Sequence, residues 1–216
     1  MFDRLKENGF DVLFVSHAKA IVEGDFPQVI TEIQTVLLDA RVSIHEIIGS
    51  GGGESKGTQR LRRALAQLGW TKQTFEITKT INGKERESQS HEVDHVKTFG
   101  DVGTVALEIE WNNKDPFFDR DLENFKRLHA EGAISLGVLV TRGASLQEAL
   151  WGAVMRFATE RGIHDMEALA AQGVIPTPKQ RANILRRTAR KDEPVAFARA
   201  WSDNFVSNKF GQATTH

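Results

Sequence analysis

The chain has 216 residues, of which 40% are hydrophobic and 26% charged. This composition is typical of a folded globular protein and excludes a disordered one. No apolar run approaches the roughly 18 residues of a membrane-spanning helix. Cysteine is absent, which excludes disulfides, thiolate nucleophiles and zinc–thiolate sites. The amino-terminal residues lack a signal-peptide pattern, so we expect a cytoplasmic protein.

Charge is almost balanced overall but unevenly distributed. The formal net charge is −1, which does not indicate a nucleic-acid-binding protein by itself. Residues 179–209 nevertheless contain eight basic side chains against three acidic ones, which leaves −6 on the remainder. A basic segment of this kind fits a polyanionic partner, and it fits a solvated helical face equally well.

Short apolar runs alternate with helical patterns in the first seventy residues. Residues 10–16 predict a strand. Pro27 is suited to a first helical turn. Apolar residues at helical spacing follow it, namely Val29, Ile30, Ile33, Val36 and Leu37. A second helix is predicted after the glycines at 51–53, with one apolar face and a stop at Gly69. That face carries Leu61, Leu65 and Leu68.

The pattern then changes from helical to strand-like. Phe75 and Ile77 alternate with polar residues, and Asn82-Gly83 is a strong hairpin signal. A polar patch at 84–89 leads into a second predicted strand at 91–97, and residues 104–111 predict a third. One face of the third strand has Val105, Leu107, Ile109 and Trp111, and the other has Ala106, Glu108 and Glu110.

Helices dominate the predictions for the second half. Asp119 is a candidate cap for a helix with Leu122, Phe125 and Leu128 inward, and residues 134–140 predict a strand covered on both faces. Ser145 and Glu148 form a capping-box pattern that opens a long helix. Its inward residues are Leu146, Leu150, Val154 and Phe157. Shorter helices are expected after residues 165, 178 and 194, and we expect Trp151 and Trp201 to pack in the core.

These elements predict an α/β (mixed α+β) fold with a central mixed sheet flanked by helices. We find no repeat and no linker, so residues 1–216 are predicted to form one domain. Its carboxyl-terminal portion, residues 177–216, is basic and helical.

Two acidic residues on the third strand are the main candidates for chemistry. Glu108 and Glu110 share one face, roughly 7 Å apart, on a strand that is otherwise apolar. Buried carboxylates need a positive partner, either a divalent cation or a nearby Lys or Arg. Asp94 is a third carboxylate if the strands are antiparallel neighbours, and Asp101 is its rival. Such oxygen ligands suit Mg²⁺ and metal-assisted attack of water on a phosphodiester. The spacing alone also fits an ordinary strand with one solvated face.

Four segments, in order along the chain, resemble the BamHI/BglII-type restriction endonucleases, a branch of the PD-(D/E)XK nuclease fold. They are GGGESKGTQRLRRALAQLGW (51–70), SHEVDHVK (90–97), VALEIEWNN (105–113) and NKFGQATTH (208–216). The resemblance implies a type II site-specific deoxyribonuclease that leaves 5′-phosphate and 3′-hydroxyl ends.

The resemblance also implies roles for individual residues. Asp94 and Glu108 would bind the metal, and Glu110 would accept a proton from the attacking water or orient it. Glu110 stands where most of the wider fold has Lys, where BamHI has Glu and where BglII has Gln. Glu54 is a weaker, supporting candidate. Mg²⁺ would be the cofactor, replaceable by Mn²⁺, whereas Ca²⁺ would bind without supporting cleavage.

Double-stranded DNA is the implied partner, bound by a homodimer at a short palindromic site. Asn112, Asn113 and Arg142 stand where similar enzymes touch bases, and such side chains suit major-groove contacts. Lys209 and Thr214 are further DNA-binding candidates, and the basic residues of 179–209 would meet phosphates. Two alternatives remain open, a non-catalytic DNA-binding protein on a nuclease scaffold and a non-specific or repair nuclease.

Overall fold

The structure, a computed structural model, describes residues 1–40, 42–49, 56–110, 115–190 and 196–210. Its strands are β1 (Thr71–Ile81), β2 (Lys84–Phe99), β3 (Gly103–Glu110) and β4 (Leu136–Thr141). Its helices are α1 (Asp3–Glu7), α2 (Ala18–Gly24), α3 (Pro27–Asp39), α4 (Ile44–Ile48), α5 (Lys56–Gln67), α6 (Asp115–Ala130), α7 (Ala144–Glu160), α8 (Met166–Ala171), α9 (Pro178–Thr188) and α10 (Phe197–Phe210).

The strands form one mixed sheet in the order β1-β2-β3-β4. β1 with β2 and β2 with β3 are antiparallel, while β3 and β4 are parallel. Asn82 and Gly83 both have positive φ (51° and 74°), as a tight hairpin turn of the predicted kind requires. The predicted mixed sheet flanked by helices is confirmed, and β3 lies in its interior.

Contacts between Cα atoms group the chain into two compact units, one of residues 1–40 and 58–141 and the other of residues 41–57 and 142–216. The prediction of one domain over residues 1–216 is not tested by this grouping and stays a prediction.

The first unit contains the whole sheet between two layers of helices. On one face, Val105 and Leu107 of β3 pack against helices that include α3 and α5. On the opposite face, Ala106 packs against Phe125 and Leu128 of α6. Because successive strand residues point to opposite faces, Glu108 and Glu110 share the side of Ala106, which α6 covers.

The second unit is helical, built from α4 and α7 to α10. Its core is a cluster of almost fully buried apolar side chains, including Ile48, Leu150, Val154, Leu169, Ile184 and Trp201. The helices predicted after residues 165 and 178 are confirmed. Asp165 caps α8 by accepting the Ala168 amide at 2.8 Å, and Thr177 forms a capping box with Gln180 ahead of α9.

The strand predicted at residues 10–16 is wrong, since none of these residues belongs to a strand. Phe10, Val12 and Phe14 pack against the core of the first unit, while Leu13 and Val15 are exposed. An extended segment lying along a core shows the same alternation of burial as a strand, so periodicity could not separate them.

Two details of the strands and of α6 also differ from prediction. The polar patch at 84–89 is part of β2, paired with β1, so the hairpin is longer than predicted. α6 begins at Asp115, which places Asp119 inside the helix instead of at its cap. Phe125 and Leu128 of α6 are buried as predicted, whereas Leu122 is 52% exposed and Asp121 is buried instead.

Helix α7 begins two residues earlier than the predicted capping box allows. Its N-cap is Gly143, which makes no side-chain cap hydrogen bond, so the Ser145–Glu148 box is not used. Trp151 is 39% exposed, and its indole Nε1 donates to Asp203 Oδ1 at 2.7 Å. The prediction of core packing is therefore wrong for Trp151 and confirmed for Trp201.

Across the described ranges, we find no helix that combines the length and apolarity needed to span a membrane.

Candidate active site

Glu108 and Glu110 lie on the face of β3 that α6 covers. Each residue is only 8% exposed, although each carries a carboxyl group. They are held there because their neighbours Val105 and Leu107, on the opposite face, anchor an interior strand in the core. The fold therefore places two carboxyl groups where ionisation is unfavourable without a positive partner.

Asp94 joins this pair from the neighbouring antiparallel strand. Its backbone N–H donates a hydrogen bond to Glu108 Oε1 at 3.2 Å. The pairing of β1 with β2 changes register between Thr71 and Gln73, so Asp94 lies at an irregularity of the ladder. β2 and β3 are antiparallel neighbours, the condition under which the Asp94 carboxylate is predicted to join the glutamates, but the contact with Glu108 is made by the Asp94 main chain.

The side chain of Asp94 has a cationic partner of its own. It is about half exposed, and its Oδ1 lies 3.3 Å from Lys72 Nζ, which also lies 2.6 Å from Glu92 Oε1. These two carboxylates raise the pKa of Lys72. Sequence reasoning did not identify Lys72; the hairpin signal at Asn82-Gly83, which makes the strands of Lys72 and Asp94 neighbours, is the signal that was available.

Asp121, on α6, is a fourth carboxylate of the same group and was also missed. It is 4% exposed, and its Oδ1 accepts from Arg120 Nε at 3.0 Å. Its carboxyl group contacts that of Glu110. The available signal was helical spacing, because Asp121, Phe125 and Leu128 fall at i, i+4 and i+7 and all three are buried.

Burial and repulsion between neighbouring carboxylates raise the pKa of both glutamates. Burial, together with the charges of Asp94, Asp121 and Glu110, raises the pKa of Glu108 to about 8, against the lowering effect of the Asp94 amide. Burial and the contact with Asp121 raise the pKa of Glu110 to about 7. Near neutral pH the group therefore retains protons that a bound cation would displace.

The carboxylate oxygens of this group are chemically suited to a hard divalent cation. They are not arranged as a complete metal site. Within the described ranges, no three His, Asp or Glu side chains form a ready metal-binding group. The oxygens present are the type that Mg²⁺ and Ca²⁺ prefer. One of them, Asp121 Oδ2, is buried and accepts no hydrogen bond from any described residue. Lys72 would compete with such a cation for the exposed Asp94 carboxylate.

The remaining predicted residues lie elsewhere or outside the described ranges. Asp101 is exposed in the turn between β2 and β3. Arg142 directly follows β4, and burial lowers its pKa. The other predicted positions cannot be placed: Glu54, Asn112, Asn113 and Thr214 lie outside the described residues, as does the side chain of Lys209.

A family model described as restriction endonuclease BglII/BglIII matches residues 10–216. The comparison with curated proteins and the comparison with solved structures gave no match.

Proposed function

Because the chain belongs to the BglII/BglIII restriction endonuclease family, and is therefore a type II site-specific deoxyribonuclease, we propose that it cleaves DNA with Mg²⁺ held by Asp94 and Glu108. The observation that carries this proposal is the burial of Glu108 and Glu110 on an interior strand, with the Asp94 main chain hydrogen-bonded to Glu108. The mixed sheet flanked by helices is consistent with the PD-(D/E)XK fold.

The choice of Asp94 over Asp101 is supported by electrostatics. Asp94 is among the charges that raise the pKa of both Glu108 and Glu110. Asp101 is not among the main contributors to either shift, and it occupies an exposed turn. We therefore keep Asp94 as the metal ligand.

Glu110 is the residue proposed to act on the attacking water. A divalent cation at this site would stabilise charge on the phosphate and lower the pKa of a bound water. Glu110, which lies on the same face of β3 as Glu108, orients the water and accepts its proton at a carboxylate oxygen. The water oxygen would bond to phosphorus as the bond to the 3′ oxygen breaks, and the departing 3′ oxygen would take a proton from solvent water, which leaves 5′-phosphate and 3′-hydroxyl ends.

Sequence recognition is assigned to residues beyond the carboxylate group. Asn112, Asn113 and Arg142 are proposed to contact bases, and Lys209 and Thr214 to contact the DNA as well. A homodimer would present one active site to each strand, which matches a short palindromic sequence. Arg142 combines partial burial with a fork of donors, the property that suits it to a bidentate contact with guanine.

The first test is cleavage of plasmid DNA by purified protein with Mg²⁺. We expect discrete fragments from the wild-type protein and at least a 1,000-fold lower rate from Glu108→Gln, since a neutral amide is a poor ligand for Mg²⁺ and removes one charge of the site. Gel analysis with end sequencing gives the rate, the site and the stagger together.

A matched control is Glu76→Gln, which changes an exposed glutamate of β1 and should leave the rate unchanged. Full activity of Glu108→Gln would contradict the metal assignment. Retarded but intact DNA with the wild-type protein would contradict catalysis, and a smear without bands would contradict sequence specificity.

A further inference from the structure

The side chain of Asp121 has no role in the function proposed so far, yet its position is unusual. It belongs to the inward stripe of α6, whose other members Phe125 and Leu128 are apolar and pack under the sheet. A carboxylate in such a stripe is costly to bury unless both oxygens find partners. The structure supplies a partner to one oxygen.

Arg120 is that partner, and it contacts the first oxygen alone. Its Nε and Nη2 each lie 3.0 Å from Asp121 Oδ1, and its own side chain is more than half exposed. Oδ2, by contrast, is buried and receives no hydrogen bond from the described part of the chain. The neighbouring carboxyl group of Glu110 offers a hydrogen bond only when a proton lies between the two groups.

The charge balance of the group points to a divalent ligand. Asp94, Glu108, Glu110 and Asp121 are four acids within interaction distance of one another. The cations that contact them in the described part of the chain are Lys72 and Arg120, and Lys72 also serves Glu92. With every acid ionised, the group lacks about two positive charges.

We propose that Asp121 is a further ligand of the active-site cation, binding it through Oδ2, the oxygen that Arg120 leaves unpaired. This inference rests on the proposed function, because it concerns the same metal. With Asp94 and Glu108, it gives the cation three carboxylates, one from each of β2, β3 and α6. α6 is then part of the active site and not only a covering layer.

The test measures Ca²⁺ binding, which needs no turnover. Wild-type protein, Asp121→Asn, Glu108→Gln and the control Glu123→Gln are titrated with Ca²⁺ by calorimetry, after removal of metal with a chelator. Glu123 is an exposed acid of the same helix, paired with Lys126 at 3.3 Å. We expect Asp121→Asn to weaken Ca²⁺ binding about tenfold or more, because ligand charge sets affinity at such sites, and Glu123→Gln to change nothing.

Melting temperature without metal separates a ligand from a structural residue. Because the substitution removes a buried charge that Arg120 offsets at one oxygen only, Asp121→Asn should melt at the same temperature as wild type or higher in chelator, and Ca²⁺ should raise its melting temperature less. A lower melting temperature with unchanged Ca²⁺ affinity would overturn the inference.

The same experiment distinguishes this inference from the proposed function. If Asp121→Asn binds Ca²⁺ as wild type does while Glu108→Gln does not, Asp121 is no ligand and the proposed site stands. If wild-type protein neither binds Ca²⁺ nor cleaves DNA with Mg²⁺, both proposals are wrong.

Discussion

Glu108 has an unusual environment for a carboxyl group, and the consequence reaches beyond catalysis. Burial raises its pKa to about 8 and that of Glu110 to about 7, whereas both groups titrate near 4.5 in an unfolded chain. Between those values the native protein holds protons that the unfolded chain has released. Linkage then requires the free energy of unfolding to fall as pH rises through this interval.

We expect metal-free protein to lose stability between pH 5 and pH 8.5 and Glu108→Gln to lose less. One group contributes at most about 1.4 kcal/mol per pH unit to the slope. Urea unfolding in chelator at several pH values measures the free energy. Glu76→Gln should keep the wild-type slope, and an equal slope in Glu108→Gln would show that its carboxyl group is not the cause.

The acids of the site were accessible to sequence reasoning to different degrees. The spacing of Glu108 and Glu110 on an apolar strand, together with the resemblance, was enough to select them and Asp94. Asp121 was missed because Leu122, the residue after it, also fits the helical spacing of Phe125 and Leu128. A leucine gains from burial, so the pattern favoured it, and only the packing of α6 on β3 shows that an aspartate occupies that place.

At the scale of elements, a buried ionic cluster ties three segments of the first unit together. Glu32 of α3 accepts from Lys97 Nζ of β2 at 2.5 Å and from Trp70 Nε1, which precedes β1, at 2.7 Å. Lys97 also donates to Leu68 O at 2.7 Å, at the end of α5. The cluster fixes the entry into β1 relative to a helix and to the neighbouring strand.

Lys97→Met should destabilise the protein by about 3 kcal/mol, because it leaves the buried Glu32 carboxylate without its cation. Chemical denaturation gives the free energy of unfolding. Lys126→Met, which removes an exposed partner of Glu123, should cost no more than about 0.5 kcal/mol. If both variants lowered the free energy of unfolding by a similar amount, the buried Glu32–Lys97 pair would contribute no more to stability than an exposed pair does.

Helices and strands were predicted well where a turn-forming or helix-starting residue stood next to a regular pattern of apolar residues. Asn82-Gly83 located the hairpin, and Pro27 and Pro178 marked the starts of α3 and α9. The hairpin is longer than predicted because its outer part, 84–89, is polar and paired only with β1. Such a ladder has no buried face, so no hydrophobic alternation indicates it.

At the scale of the whole molecule, the uneven charge of the sequence has a physical counterpart on α9. Lys179, Arg181, Arg186 and Arg190 are exposed along this helix and the residues after it. Arg187 is paired with Asp203 at 2.7 Å. The exposed set therefore remains available for phosphates, as proposed from the basic segment.

Binding of DNA should depend on salt through these side chains. The triple variant Arg181→Gln, Arg186→Gln and Arg190→Gln should lower the slope of log K against log salt by up to about 2.7, or about 0.9 for each phosphate that is no longer neutralised. Fluorescence anisotropy in Ca²⁺ measures it. Arg4→Gln with Lys6→Gln and Lys19→Gln, on α1 and α2, should preserve the slope, and a triple variant that also preserves it would place the DNA elsewhere.

The sequence was sufficient to predict the family, because four matching segments in the same order identify a family far more specifically than any single segment does. Domain organisation, the homodimer and the base-contacting residues remain predictions. Asn112 and Asn113 follow β3 directly, and the described residues end at Glu110 on that side. Base contacts also depend on a DNA partner, so burial and periodicity within one chain carry no signal for them.

Each compact unit contains a buried tryptophan, so the fluorescence of the two units can be distinguished. Trp70 and Trp201 are both almost fully buried, but Trp70 donates its indole N–H to Glu32, whereas Trp201 lies near the rings of Phe157 and Phe205. With Trp111 and Trp151 replaced by phenylalanine, each unit keeps one fluorophore in its own chemical surroundings. Emission spectra recorded during heating would then reveal whether the units melt in concert or one after the other.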